Sequence, residues 1–214
     1  MLTSLNDQLF LRINAPLHPD AIAVALAEVA ANDIVYAAMA LVVALWIWGP
    51  PERRAALLGS VAGVSIGIGI NQLLGMLWYE PRPFVAGLGH TLIAHAADNS
   101  FPSDHGTFMW SLGFALIVTG ATRRWGALVC LAGLPVAWAR VYLGVHFPLD
   151  MLASLAVAQA GALMALAVQP LLQGPVTLGL QAVYIGGLRL LRLPPVLFPR
   201  ETDMTPQIQR GPRA

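Results

Sequence analysis

Long apolar runs, separated by short turns and one longer polar loop, restrict what this chain can fold into. A helix of roughly 20 apolar residues spans the hydrocarbon core of a bilayer. With 57% hydrophobic and only 11% charged residues in 214, the chain has more apolar side chains than a soluble domain typically carries. The sequence therefore predicts an all-α, polytopic transmembrane bundle with five spans, at about 34–48, 55–78, 104–120, 125–143 and 149–172.

The two ends of the chain are more polar than this bundle. Leu2 to Asn14 has apolar residues at helical spacing and a polar opposite face, which predicts an interfacial helix within a segment 1–19 and no cleavable signal peptide. Residues 20–172 form the predicted membrane domain. Ala21 to Ala31 is too short to cross alone, and we expect it to end at Asn32-Asp33, with the alternative that the first span borrows length from it. In the C-terminal segment 173–214, residues 176–193 predict an interfacial helix or a sixth span, and a loose tail follows from Pro194.

The spacing of glycines in one span and the placement of arginines between spans indicate how the spans are arranged. Gly59, Gly63 and Gly67 recur every fourth residue of the second span, so another helix can approach this face closely. The arginines between spans fall on one side of a five-span bundle, and the positive-inside rule assigns that side to the cytoplasm. The opposite, outer side then receives the polar loop 79–101 and the turn 143–148. The arginines used for this assignment are Arg53, Arg54, Arg123, Arg124, Arg189, Arg192 and Arg200.

The turn before the last span has a spacing suited to nucleophilic catalysis. Pro148 is a good first helical residue, so His146 precedes the helix and Asp150 lies one turn inside it. A carboxylate four residues after a histidine can fix the ring tautomer and stabilise its positive charge. A histidine held in this way can attack an electrophile. Arg140, six residues earlier, has a planar guanidinium that suits an oxyanion.

Two further segments predict an anion site on the same outer face. Ser103 is a good N-cap, and the free amides that follow it, at Asp104 and Gly106, favour an anion at the helix start. His105 lies in the same turn and can protonate a departing oxygen. Pro81 and Pro83 hold Arg82 on a stiff segment. Together these groups predict a phosphate site with a nucleophile and an acid. Further candidates beside it are Tyr79, Glu80 and Pro83.

Each of these residues also has a purely structural interpretation. Arg82 alone is more often an interfacial anchor, and His105 alone can be a polar residue satisfied inside a bundle. Asp150 and Ser103 can simply cap their helices. We expect His90 and His95 to be loop residues without a role in the site. The occurrence of the other groups together on one face favours the functional interpretation.

The pattern Arg82-Pro83, then Pro102-Ser103-Asp104-His105, then Arg140, His146 and Asp150 resembles the type-2 phosphatidic acid phosphatase superfamily. The sequence around Arg82 and Ser103 is most similar to that of bacterial undecaprenyl-pyrophosphate phosphatases of the BcrC type. This resemblance implies a metal-independent phosphatase without a cofactor that works through a phosphohistidine. In the mechanism that the resemblance implies, His146 attacks phosphorus, Asp150 orients His146, and His105 protonates the leaving group. The phosphoryl oxygens are held by Arg82, Arg140, the Ser103 hydroxyl and the neighbouring amides.

The resemblance also implies where the protein acts. We expect a multi-pass protein of the bacterial inner membrane that hydrolyses undecaprenyl diphosphate on its periplasmic face, recycling the carrier of peptidoglycan synthesis and conferring bacitracin resistance. Its partners would be a polyprenyl diphosphate and membrane lipids, and not nucleic acid. The sequence leaves the oligomeric state open. Phosphatidylglycerol phosphate and phosphatidic acid are alternative substrates, and a headgroup transporter or a metallohydrolase built on His105, His146 and Asp150 are rival functions.

Three positions depart from the pattern of the family. The family has a lysine seven residues before its first arginine, where this chain has Gly75, and the chain contains no lysine elsewhere. Asp104 replaces a glycine, and Ala139 replaces a serine. Compensation by Asn71, Gln72, Tyr79 or water is therefore expected. Glu80 can either orient Arg82 or repel an anionic headgroup, and the sequence does not decide between the two.

Overall fold

The computed structural model describes residues 2–172 and 174–198, and it contains seven α-helices in the described part of the chain. They are α1 (Leu2–Ile13), α2 (Ala21–Trp48), α3 (Arg54–Leu77), α4 (Asp104–Val118), α5 (Arg123–Tyr142), α6 (Pro148–Leu172) and α7 (Pro175–Leu190). The predicted all-α membrane bundle is confirmed. Of the predicted tail, residues 199–214 lie outside the described residues, and Arg200 with them.

Four helices in the described chain are long and apolar enough to cross a membrane: α2, α3 with the short 3-10 turn before it, α5 and α6. α4 lies where the third span is predicted but has only 15 residues, which gives it a length of about 22 Å. It nevertheless connects the two ends of the bundle, because Asn71 near the end of α3 bonds to Asp104 and Ser60 near the start of α3 bonds to Thr119.

The expected helix end at Asn32-Asp33 is wrong. α2 is a single helix of 28 residues that continues through both positions. The Asn32 side chain donates to the Glu28 carbonyl 3.1 Å away, which is also the helical acceptor of its own amide, so its polar group is satisfied within α2. Its neighbours Ala27, Ala30 and Ala31 are buried in a cluster with Ala139 and Leu143 of the α5 end. This packing outweighs the weak helix propensity of the two polar residues.

Small residues bring α3 and α6 together, as the glycine spacing predicts. A Cβ atom built at Gly63 would lie 2.8 Å from the Ala165 Cβ, and one at Gly161 would lie 2.7 Å from the Gly63 carbonyl oxygen. Any larger side chain at these positions would push the helices apart. The glycines thus fix the distance between the helix that leads to Arg82 and the helix that carries Asp150.

The helices α1 and α7 pack at opposite ends of the bundle. At one end, Phe10 of α1 is fully buried against Phe147, with ring centroids 5.3 Å apart. At the other end, the Tyr184 ring of α7 lies 5.4 Å from the buried Arg54 guanidinium at the start of α3. The first end also holds the predicted site, while Arg53, Arg123 and Arg124 are exposed at the second.

Candidate active site

The turn between α5 and α6 places His146 beside Asp150. Gly144 takes a positive φ of 82°, which glycine adopts readily, and the Val145 amide donates to the Arg140 carbonyl 3.1 Å away. Pro148 then begins α6. The His146 Nδ1 atom lies 3.2 Å from Asp150 Oδ2, and both residues are buried. The four-residue spacing therefore produces the pair that the sequence predicts.

Arg82 decides which nitrogen of His146 carries the proton. Its Nη1 atom lies 3.1 Å from His146 Nε2, and a guanidinium can only donate. Nε2 is therefore unprotonated and its lone pair accepts from Arg82, while Nδ1–H donates to Asp150. Burial, and then the charges of Arg82 and Arg140, hold the pKa of His146 well below 6.5. The ring is neutral at pH 7, as a nucleophile must be.

The acid that pairs with Arg82 is Asp98 and not Glu80. Arg82 Nε donates to Asp98 Oδ1 at 2.7 Å, and its Nη1 also donates to the Val145 carbonyl at 2.9 Å. Although partial burial opposes the effect, the Arg82 guanidinium lowers the pKa of Asp98 below 3.8. The Glu80 carboxylate instead accepts from the Trp78 ring nitrogen. Of the two other candidates here, Tyr79 is 62% exposed and Pro83 is fully buried.

Ser100 is a site residue that the sequence did not reveal. Its hydroxyl donates to Asp150 Oδ2 at 2.5 Å, and the Phe147 amide donates to the same oxygen at 2.8 Å. With Nδ1 of His146, this oxygen has three neighbouring donors. Charge-assisted hydrogen bonds of this kind are among the stronger ones in proteins. They fix the carboxylate behind the imidazole, so the orientation of His146 depends on the loop before α4 as well as on α6.

The loop 79–101 folds back on itself, and this brings Asp98 and Ser100 to the site. Pro81 and Asn99 form an antiparallel bridge, and the Ser100 amide donates to the Glu80 carbonyl at 2.9 Å. Asn99 accepts from the Glu80 amide and donates to the carbonyls of Gly75, Trp78 and Phe101. One amide side chain thus joins the end of α3 to the segment before α4.

Arg140 is held by His95, against the expectation that His95 has no role in the site. The Nη2 atom of Arg140 lies 3.0 Å from His95 Nε2, and the His95 and His146 ring centroids are 6.4 Å apart. Arg140 is 2% exposed, and its Nε has no hydrogen-bond partner among the described residues. A buried guanidinium with a free donor suits an incoming anion. The other loop histidine, His90, is exposed.

The start of α4 provides the cap that the sequence predicts. The Ser103 hydroxyl is fully buried and accepts from the Gly106 amide at 3.4 Å. The exposed Asp104 carboxylate accepts from the side chains of Asn71 and Gln72, at 2.6 and 3.0 Å. These two residues therefore anchor Asp104. His105 is half-buried and lies within electrostatic range of Arg140 and His146.

Asn99 occupies the space that the missing lysine of the family would need. A Cβ atom at Gly75 would lie 2.9 Å from Asn99 Nδ2, which is closer than real Cβ contacts. A cavity of about 210 Å³ opens here, lined among others by Arg82, Asp104 and His146. Two larger cavities, of about 450 and 440 Å³, lie beside α2 and contain none of the candidate site residues. Of these cavities, the smaller, polar one is therefore the one that borders the candidate site.

Comparison with known proteins gives three findings. A family model described as the PAP2 superfamily matches residues 54–173. YbjG of Escherichia coli (strain K12), whose name assigns it provisionally to the undecaprenyl-diphosphatases, is 39% identical over 166 residues, or 77% of this chain and 83% of YbjG. Undecaprenyl-diphosphatase BcrC of Bacillus subtilis (strain 168) is 34% identical over 155 residues, or 72% of this chain and 79% of BcrC.

A solved structure shares the fold. The crystal structure of Aquifex aeolicus LpxE superimposes with a TM-score of 0.60 at 23% sequence identity, and the match covers 76% of this chain and 95% of LpxE. The fold of the helical bundle therefore has an experimental counterpart.

Proposed function

The chain belongs to the PAP2 superfamily, as its motifs predict, and from this premise we propose that it hydrolyses undecaprenyl diphosphate to undecaprenyl phosphate. The names of its curated relatives support the substrate. The observation that supports the chemistry most is the hydrogen bond from Arg82 to His146 Nε2. It marks the nitrogen that has a lone pair, and it puts a cation where the oxygens of an attacked phosphoryl group would lie.

In the first step, His146 Nε2 forms a bond to the terminal phosphorus, and the P–O bond to the lipid monophosphate breaks. The electron pair of that bond leaves with the bridging oxygen. Asp150 accepts from Nδ1–H and stabilises the positive charge that develops on the ring. Arg82, Arg140, the Ser103 hydroxyl and the Asp104 amide hold the phosphoryl oxygens, while the Gly106 amide orients that hydroxyl by donating to Ser103 Oγ. The product of this step is a phosphohistidine.

His105 serves both halves of the reaction. It protonates the departing oxygen in the first step and then accepts a proton from the water that attacks the phosphohistidine. The N–P bond breaks, phosphate leaves, and both histidines return to their starting states. The proton that His105 gave away is thereby replaced, and the cycle is closed. Among the described residues, no group of three His, Cys, Asp or Glu side chains is arranged to hold a metal ion.

The surface beside the cavity supports a lipid substrate. Met76 lines the cavity and is 80% exposed, and the neighbouring Leu73 and Leu77 are 61% and 83% exposed. An apolar chain can therefore remain in the lipid along the end of α3 while its headgroup enters. Burial contributes about 0.8 kcal/mol per methylene, so a long polyprenyl tail needs few contacts with protein. Placement of the arginines at the opposite end of the bundle supports a periplasmic site in the bacterial inner membrane.

The decisive experiment is to trap labelled phosphate on the protein. Detergent-purified protein is mixed briefly with terminally labelled undecaprenyl diphosphate and quenched in alkali, which preserves phosphohistidine. We expect label on the wild type and none on His146→Ala, with the loop variant His90→Ala labelled normally. Failure to label an active wild type would refute the covalent mechanism.

The same preparation separates the rival functions. A transporter would release no phosphate in detergent, and a metallohydrolase would lose activity in strong chelator while resisting vanadate. Faster turnover of phosphatidylglycerol phosphate or phosphatidic acid than of undecaprenyl diphosphate would assign the protein to phospholipid metabolism instead.

A further inference from the structure

His95 lies at the second guanidinium of the site, and its tautomer follows from its contacts. Its Nε2 atom lies 3.0 Å from Arg140 Nη2 and must accept, because a guanidinium only donates. Its Nδ1 atom lies 3.1 Å from the Ala96 carbonyl oxygen and therefore donates. The ring is thus neutral, and its Nε2 faces the Arg140 guanidinium, which the proposed mechanism also uses.

The two arginines of the site have different neighbours. Arg82 contacts the nucleophile His146 directly, so it marks the position of the phosphoryl group under attack. Arg140 contacts His95 instead, whose ring centroid lies 6.4 Å from that of His146. A diphosphate headgroup has a second phosphate, joined through one oxygen to the phosphoryl group that is attacked. The pair Arg140–His95 lies one side chain away from the nucleophile, where such a second phosphate needs partners.

We infer that His95 binds the second, lipid-proximal phosphate of the diphosphate, beside the Arg140 guanidinium that holds the attacked phosphoryl group, and so selects diphosphate over monophosphate headgroups. This inference rests on the proposed function and adds to it a residue that the motifs of the family do not include. It also accounts for the missing lysine. Since Asn99 fills the space at Gly75, the additional partner for the headgroup comes from the loop and not from α3.

The electrostatics around His95 are consistent with this role. Burial, followed by the charges of Arg82 and Arg140, lowers the pKa of His95 below 6.5, while the Asp98 carboxylate, 3.9 Å away, favours its charged form. An incoming anion would cancel the repulsion from the two arginines. His95 can then take up a proton, and both it and Arg140 can donate to the anion. His105 and His146 also face this region.

The test compares inorganic pyrophosphate with orthophosphate as probes of the full-length protein in detergent. Dissociation constants are measured by calorimetric titration for the wild type, His95→Ala and His95→Gln, with His90→Ala as the matched control on the same loop. We expect His95→Ala to weaken pyrophosphate binding about 10- to 100-fold, as expected for a lost charge-assisted hydrogen bond. Orthophosphate binding should change less than about 2-fold.

The glutamine variant separates binding from folding. Its amide can still donate, so His95→Gln should retain an intermediate preference for pyrophosphate even if the alanine variant does not fold. Equal weakening of both probes, or of neither, would overturn the inference. Turnover of undecaprenyl diphosphate by the wild type tests the proposed function separately. An inactive wild type that still distinguishes the probes would refute that function, and an active one without a His95 effect would refute only the inference.

Discussion

Arg82 and His146 are 64 residues apart, and the guanidinium of the first donates to Nε2 of the second at 3.1 Å. This contact joins the segment after α3 to the turn before α6. It has two consequences for the histidine: Nε2 must keep its lone pair, and a nearby positive charge disfavours protonation of the ring. The tautomer and protonation state of His146 are therefore set by a residue from another segment as much as by Asp150.

The stability of the protein should fall as the pH decreases below about 6.5. The pKa of His146 is depressed in the folded state by burial and by Arg82 and Arg140, so the unfolded chain binds a proton first. The contribution of His146 to the free energy of unfolding is complete above the pKa that its ring has in the unfolded chain. As the pH falls from there toward the pKa in the folded protein, this contribution decreases by about 1.4 kcal/mol per pH unit. Melting temperatures in detergent at pH 7.5 and 5.5 should show a smaller decrease for His146→Gln than for the wild type. The exposed His90→Gln should behave like the wild type, and equal decreases in all three proteins would contradict this account.

Asp150→Asn should lower kcat strongly without unfolding the bundle. An amide of the same shape can fill the position next to His146 Nδ1 and the Phe147 amide, but it brings no negative charge to stabilise the ring during attack. We expect a loss of about 10²- to 10⁴-fold, as for other carboxylates that support a catalytic histidine. Single-turnover formation of the phosphoprotein measures the step directly. A normal rate of phosphorylation with slow dephosphorylation would show that Asp150 acts elsewhere.

Ser100→Ala tests a residue that entered the site only through the tertiary structure. Loss of its hydroxyl removes one of the donors at Asp150 Oδ2, and we expect kcat to fall about 10-fold. Ser100→Thr retains a hydroxyl and should recover part of the activity. The matched control is Ser65→Ala, because Ser65 is exposed and its hydroxyl donates to the Val61 carbonyl of its own helix α3. Equal activity of the two alanine variants would remove Ser100 from the site.

Met76→Asp should impair lipid substrates selectively. The charge would lie at the exposed end of α3 beside the cavity, where the tail of the substrate is proposed to pass. We expect kcat/KM for undecaprenyl diphosphate to fall about 10-fold or more, because a carboxylate disfavours contact with an apolar chain. Turnover of a short, water-soluble isoprenyl diphosphate should remain within about 2-fold. The control is Leu17→Asp, at an exposed position in the loop between α1 and α2. If Met76→Asp lost activity on both substrates, the result would argue against a path for the tail at Met76.

Much of the architecture followed from the sequence because its signals are local. The lengths of the apolar runs predicted α3, α5 and α6 within a few residues, since the bilayer sets the length of a span. The spacing of Gly59, Gly63 and Gly67 predicted a close helix contact, and Pro148 with the spacing of His146 and Asp150 predicted their contact. Where packing decided instead, as at Asn32-Asp33 in α2, the local signal predicted a helix end that does not exist.

The sequence by itself determined that the chain is a helical membrane bundle with arginines, histidines and an aspartate at one end, because helix periodicity and N-cap geometry act over a few residues. Only the tertiary structure decided that Asp98 pairs with Arg82, that Ser100 supports Asp150 and that His95 meets Arg140. The loop 79–101 has no periodicity, and its path depends on the bridge between Pro81 and Asn99. Contacts between residues so far apart depend on how the whole chain packs, which no short stretch of sequence specifies.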